Sequence, residues 1–347
     1  MLIGTEQLKR MLFTACKKKF FPAAAALLFG IISLSGCEAT YPKEELPQAI
    51  KNVCMQEYGM DVEVTVKGST VGIYYPMKGL MDAGMGISED AWDRIGNLLL
   101  IASRVVLSTD AEIKFYCVIT QDAKLPELQV VIIKYVEDVK RGFYRNISRS
   151  ESFKRTLLSI NLTPQAKKER TVEKIFEKLG VEEGTRQNIM DDFFRSPPTK
   201  LSDVGYWRGQ FYIKDITLPE FLAAQISSRL KYEFRENEGL ADEFKFQTSE
   251  GLFVKTSDSF VVKYKIEEKV ATEDIYQLRE DKVRTILDTA HDVFYGYKYK
   301  DFKMLILIDM LENVQLTVKE RDIYTYEKNA AVLEDIVQAP AGFLSQK

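Results

Sequence analysis

"KFQTSEGLFVKTSDSFVVKYKIEE", residues 245–268, reads as two strands around a turn. In its second half Val262, Tyr264 and Ile266 share one face, while Val261, Lys263 and Lys265 share the other. Alternation with period two gives each strand one buried and one wet face, as in an antiparallel sheet covered by helices on one side. Working outward, "LPEFLAAQISSRLKYEF" (218–234) precedes the pair as a helix and "EDIYQLREDKVRTILDTAHDVFYG" (273–296) follows as a longer one. "DFKMLILIDM" (301–310) and "NVQLTVKERDIYTY" (313–326) then form a second hairpin, with Val314, Leu316 and Val318 alternating with Gln315, Thr317 and Lys319.

The same order occurs earlier in the chain. Residues 42–58 read as an amphipathic helix, and "DVEVTVKG" (61–68) and "TVGIYYPM" (70–77) as a hairpin. "SEDAWDRIGNLLLIASRVVLS" (88–108) is a long helix opening on Ser88, with Glu89 and Asp90 in its first turn. "AEIKFYCVIT" (111–120) and "LQVVIIKYVEDV" (128–139) complete the set. "LPQAI" and "LPEFL" open the two copies, and "KYVEDVKRGFY" matches "VKERDIYTY" in placement. An ordered set of matches of this kind indicates duplication. The expected fold is α+β: two tandem α-β-β-α-β-β two-layer domains with antiparallel sheets, joined by a helical connector. The domains are expected at 37–160 and 218–337, the connector at 163–217 and a flexible tail at 338–347. In the first copy the long helix should offer Trp92, Ile95, Leu99, Ala102 and Val106 to its sheet.

The connector carries its own boundary signals. Thr163-Pro164 stand at cap and first-turn positions and Gly180 closes the helix. "TRQNIMDDFFR" (185–195) is a second helix, ended by Ser196-Pro197-Pro198-Thr199. "GYWRGQFYIKDI" (205–216) leads into the second copy, and its Tyr206, Trp207 and Arg208 belong to types that interfaces favour. They read either as an exposed docking strip or as a cluster buried against a domain.

The N-terminus has a different character. Lys17, Lys18 and Lys19 precede an apolar run from Phe20 to Leu34, which is too short for the ~20 residues that a crossing helix needs. A charged start, a short apolar centre and small residues before a break make a secretory signal over residues 1–36. A start at Met11 would give the more usual signal length. The segment ends on Leu34-Ser35-Gly36-Cys37. This resembles the lipobox of bacterial lipoproteins, and the resemblance covers only the first forty residues. It implies acylation of the Cys37 thiol, cleavage between Gly36 and Cys37, and a protein held by lipid to a membrane, facing the periplasm or exterior. Sorting rules for such proteins link Asp after the lipidated cysteine to inner-membrane retention, so Glu38 favours the outer membrane.

Charge and cysteine usage fit an exported protein. The net charge is −3, and removing residues 1–36 takes away five basic residues and one acidic, leaving −7. That balance argues against nucleic acid as a partner and against holding an anionic membrane by charge, which leaves membrane attachment to the lipid. After processing, Cys54 and Cys117 remain, expected to point into one core, where they either bridge or stay two buried thiols.

Catalytic signals are sparse. The single histidine, His291, lies on a charged helix with no recognisable nucleophile elbow, and the Cys and His count is too low for zinc. "MKGLMDAGMGISED" (77–90) has Gly79, Gly84 and Gly86 before a helix but lacks the Walker lysine and hydroxyl. It reads as a joining loop whose Met77, Met81 and Met85 offer an adaptable contact surface. Asp191-Asp192 and Glu182-Glu183 read as a solvated face and a helix cap. Arg141, Tyr144 and Arg145 form a smaller candidate patch. The expectation is a non-catalytic binding or assembly component of the cell envelope, with no cofactor and an envelope protein as partner. The alternative is an envelope-polymer hydrolase using a carboxylate pair not identifiable in the sequence.

Overall fold

The computed structural model describes residues 41–82, 84, 86–194, 198–269, 275–326 and 333–340. The signal segment with Gly36 and Cys37, the loop residue Met85 and residues 341–347 lie outside this set. The first unit runs α1 (Leu46–Tyr58), β1 (Glu63–Lys67), β2 (Thr70–Met77), α2 (Glu89–Leu107), β3 (Phe115–Asp122), β4 (Leu128–Tyr135) and α3 (Val136–Phe143). α4 (Arg149–Lys154) and β5 (Leu157–Leu162) extend it. α5 (Pro164–Leu179), α6 (Glu183–Phe194), β6 (Gly205–Trp207) and β7 (Gln210–Tyr212) form the connector. The second unit runs α7 (Leu218–Glu236), α8 (Glu238–Glu243), β8 (Phe244–Val254), β9 (Ser259–Glu268), α9 (Ile275–Tyr297), β10 (Met304–Asp309), β11 (Val314–Lys319) and α10 (Glu320–Tyr324), and α11 (Leu333–Ile336) follows.

The α+β class and the repeated order stand. One sheet has the order β1-β2-β3-β4-β5 and the other β11-β10-β9-β8. Each hairpin is antiparallel, but the central pairs, β2 with β3 and β9 with β10, run parallel. The reason lies in the connection: a long helix crosses over between them and returns the chain to the same end of the sheet. In both units the last strand leads directly into a short helix, α3 or α10.

Local signals in the connector hold. α5 follows Thr163 with Pro164 in its first turn and closes on Gly180 at φ 63°. "GYWRGQFY" folds as a hairpin that the sequence reading passed over. Arg208 and Gly209 both take positive φ, at 51° and 77°, the conformation of a two-residue turn that follows sheet twist.

The two units stack in four layers. On one face of the first sheet, Val71, Ile73, Tyr116, Val118, Val130 and Ile132 pack on α1 and α2, through Leu46, Ile50 and Cys54 and through Ile95, Leu98 and Ala102. Trp92 does not join them; it is 40% exposed on the outer side of α2. On the other face, Phe115, Cys117, Ile119, Val131 and Ile133 pack on the helices of the second unit. Phe115 meets the Phe221 ring of α7 at 5.3 Å, and Tyr135 meets the Tyr297 ring of α9 at 6.2 Å. α7 and α9 therefore lie between two sheets, and the first sheet is covered on both faces. Only the second sheet keeps the alternating pattern, with Phe260, Val262, Tyr264 and Ile266 inward and their neighbours partly exposed.

Ionic contacts also tie the units together. Arg155 of the first unit donates to Asp138 at 2.8 Å and to Glu151 at 2.7 Å, lies over the Tyr297 ring and reaches the Gly296 carbonyl of α9. Arg229 of α7 donates to Glu151 at 3.0 Å, and Tyr297 donates to Asp138. Burial pushes the Glu151 carboxyl up, but hydrogen bonds from Arg155 and Arg229 prevail and hold it below its usual range.

Candidate functional site: a groove between two sheet edges

β5 is an edge of the first sheet and β8 an edge of the second. Both border one groove of about 510 Å³, with Ala224, Ser227, Ser228, Lys231 and Arg235 of α7 lining it between them. Every residue of β8 from Phe246 to Phe253 lines it. Successive side chains of a strand point to opposite faces, so an uninterrupted run of lining residues means that the groove follows the backbone edge. Leu157, Leu158, Ser159 and Asn161 of β5 border it opposite. The floor is narrow because α7 meets β8 with small residues: Ser227 and Ser249 share hydroxyl contacts at 2.9 Å, and Gly251 lies against the backbone of Ala223.

The groove is polar and locally cationic. Its two carboxylates are already paired, Glu250 with Lys200 at 2.6 Å and Glu220 with Lys214. Its cations on α7 are not: among the described residues Lys231 has no ion pair, and Arg235 has only the Phe246 ring, at 5.3 Å. A second recess of about 730 Å³ shares Leu158, Ser228, Lys231 and Arg235 with the first, so the two make one trough across α7. Phe153 and Tyr232, both well exposed, line the recess, with Lys154 over the Tyr232 ring at 5.5 Å. Sequence reading missed this trough, although Ser228, Lys231 and Arg235 form a polar stripe at helical spacing. The pairing of β5 with β8 across a groove has no sequence signal, because it depends on how the units stack.

The residues singled out earlier lie elsewhere. Tyr206 is buried: it stacks on Tyr74 at 3.5 Å, donates to Glu63, and exchanges backbone hydrogen bonds with the Gln129 amide. Trp207 and Arg208 both donate to Glu169 of α5. Tyr206 fastens the hairpin to the first sheet, while Trp207 and Arg208 fasten it to α5 within the connector, so Tyr206 takes no part in an exposed strip and Arg208 alone of the three is well exposed. Met77 is buried and Met81 packs against the core of the first unit, so the methionine surface is not formed by these two residues either. Their loop is closed: Asp82 accepts from the Gly84 and Gly86 amides at 2.9 Å, and Ser88 donates to the Gly79 carbonyl at 2.7 Å. Amides engaged in this way form no phosphate cradle.

Cys54 and Cys117 are free and belong to separate clusters on opposite faces of the first sheet, so they share no core and form no bridge. Burial pushes their thiols up to about 11 and about 12. His291 is partly buried beside Asp292 and stacks on Tyr295. Arg141 reaches the Gly296 carbonyl, while Tyr144 remains 76% exposed. The side chains of Asp191 and Asp192 lie outside the described set. Among the described residues no group of three or more His, Cys, Asp or Glu could hold a metal, and no helix is long and apolar enough to cross a membrane. No family model, curated protein or solved structure matches the chain.

Proposed function

We propose that this chain is a lipid-anchored component of the bacterial cell envelope that binds an extended segment of a partner protein in the groove between β5 and β8. The lipobox-like Leu34-Ser35-Gly36-Cys37 supports the anchor. The observation that carries the binding reading is the run of eight consecutive β8 residues along the groove, which offers backbone donors and acceptors to an added strand. Lys231 and Arg235 complement an acidic segment. A polymer hydrolase built on Glu220 and Glu250 is disfavoured because both are committed to lysines.

A photo-crosslinking residue at Thr248, in cells, tests this reading. A discrete protein adduct is expected, lost when Lys231 and Arg235 are both changed to Glu and retained when Lys43 is so changed. An adduct indifferent to the groove charges refutes binding there.

A further inference from the structure

Tyr41 is held in place. Its amide donates to the Ser108 carbonyl at 3.2 Å and the residue bridges Thr109, at the C-terminal end of α2. Cys37 is four residues away, and four residues span at most about 14 Å. If Cys37 carries lipid, as proposed above, the end of α2 cannot stand far from the bilayer.

The surface at that end is suited to lipid. Arg104 of α2 pairs with Glu57 of α1, joining the last turns of the two helices. Tyr58 follows Glu57 at the end of α1 and is 40% exposed, and Leu100, one turn before Arg104, is 49% exposed. Leu100 and Ser108 are eight residues apart, or about 12 Å along a helix. An exposed aromatic and an exposed aliphatic side chain therefore lie within the radius that the lipid tether allows. The Glu57 carboxylate beside them is neutralised by Arg104. Glu44 and Glu45 beside Tyr41 outnumber Lys43, so attraction to anionic headgroups is not what would hold this end.

We infer that the end of the α1–α2 layer around Tyr58 and Leu100 rests in the headgroup–acyl boundary of the anchoring membrane. The β5–β8 groove then opens on the far side of the first sheet, away from the lipid. This inference rests on lipidation of Cys37 and adds an orientation to it.

The test uses the full chain, purified with its lipid and reconstituted in phosphatidylethanolamine–phosphatidylglycerol vesicles. Single nitroxide labels are placed at Leu100→Cys, Tyr58→Cys and, as a control, Thr248→Cys; the buried Cys54 and Cys117 thiols do not compete for label. On vesicle binding, labels at 100 and 58 should lose collisions with a water-soluble nickel complex and gain collisions with oxygen, while the label at 248 stays unchanged. The same sample is checked for acyl mass on Cys37 and for flotation with vesicles. Acylated, floating protein with labels 100 and 58 still fully water-accessible overturns the orientation alone. Absence of acyl mass overturns both the anchor and the orientation.

Discussion

Lys282 is the residue at which the two copies differ most instructively. β3 and β10 each end on a buried aspartate whose Oδ1 accepts the amides two and three residues ahead: Asp122 from Lys124 and Leu125, Asp309 from Leu311 and Glu312. The second carboxylate oxygen is satisfied differently. Asp122 takes the Leu80 amide from the glycine-rich loop, whereas Asp309 takes the Lys282 ammonium at 2.9 Å, which also donates to Glu268 at 2.6 Å. Lys282 is fully buried, so Lys282→Met leaves the buried Asp309 carboxylate, and the partly buried Glu268, without their cation. A loss of about 3–5 kcal/mol is expected, read as a fall in the urea midpoint. An unchanged midpoint would contradict the pairing. "ITQD" and "LIDM" carry the aspartates openly in the sequence, but the cation that answers Asp309 comes from a helix 27 positions away in the chain and is legible only in three dimensions.

At the scale of elements, α7 is both a helix of the second copy and the cover of the first sheet. Gly251 permits its close approach to β8: a Cβ there would sit 1.8 Å from the Ala223 carbonyl oxygen. Gly251→Ala must push helix and strand apart, with an expected cost of about 1–3 kcal/mol. Equilibrium unfolding measures it, and a neutral substitution would mean that the contact yields freely. The same element explains what was legible. Strand alternation fixed the faces of the second sheet, because one side of that sheet stays open. In the first sheet "FYCVI" (115–119) and "VVII" (130–133) are apolar at every position, which in hindsight signals two covered faces. The folding of β5 onto β4, the Arg208-Gly209 turn and the facing sheet edges escaped, since short strands and inter-unit packing leave little periodicity.

On the scale of the molecule, several buried groups resist losing a proton. Burial raises the thiols of Cys54 and Cys117, from an ordinary 9.0 to about 11 and about 12, and the phenols of Tyr299 and Tyr324 to about 12. Tyr74 reaches about 12 through burial, with Glu63 adding to it. Each raised value favours the protonated folded form, so this stability is complete below pH 9 and is lost progressively as pH rises through 9 toward 12. Urea midpoints should be flat from pH 7 to 9 and fall steadily above; constancy to pH 11 would disprove it. The interleaved stacking also bears on how the protein is made. A chain synthesised N-terminus first completes its first sheet before residues 218–236 emerge, leaving Phe115, Ile119 and Val131 without the helix that covers them. Biogenesis thus includes an interval in which half the molecule is assembled but one face of its sheet is bare, and a chaperone would have to hold that face until α7 arrives.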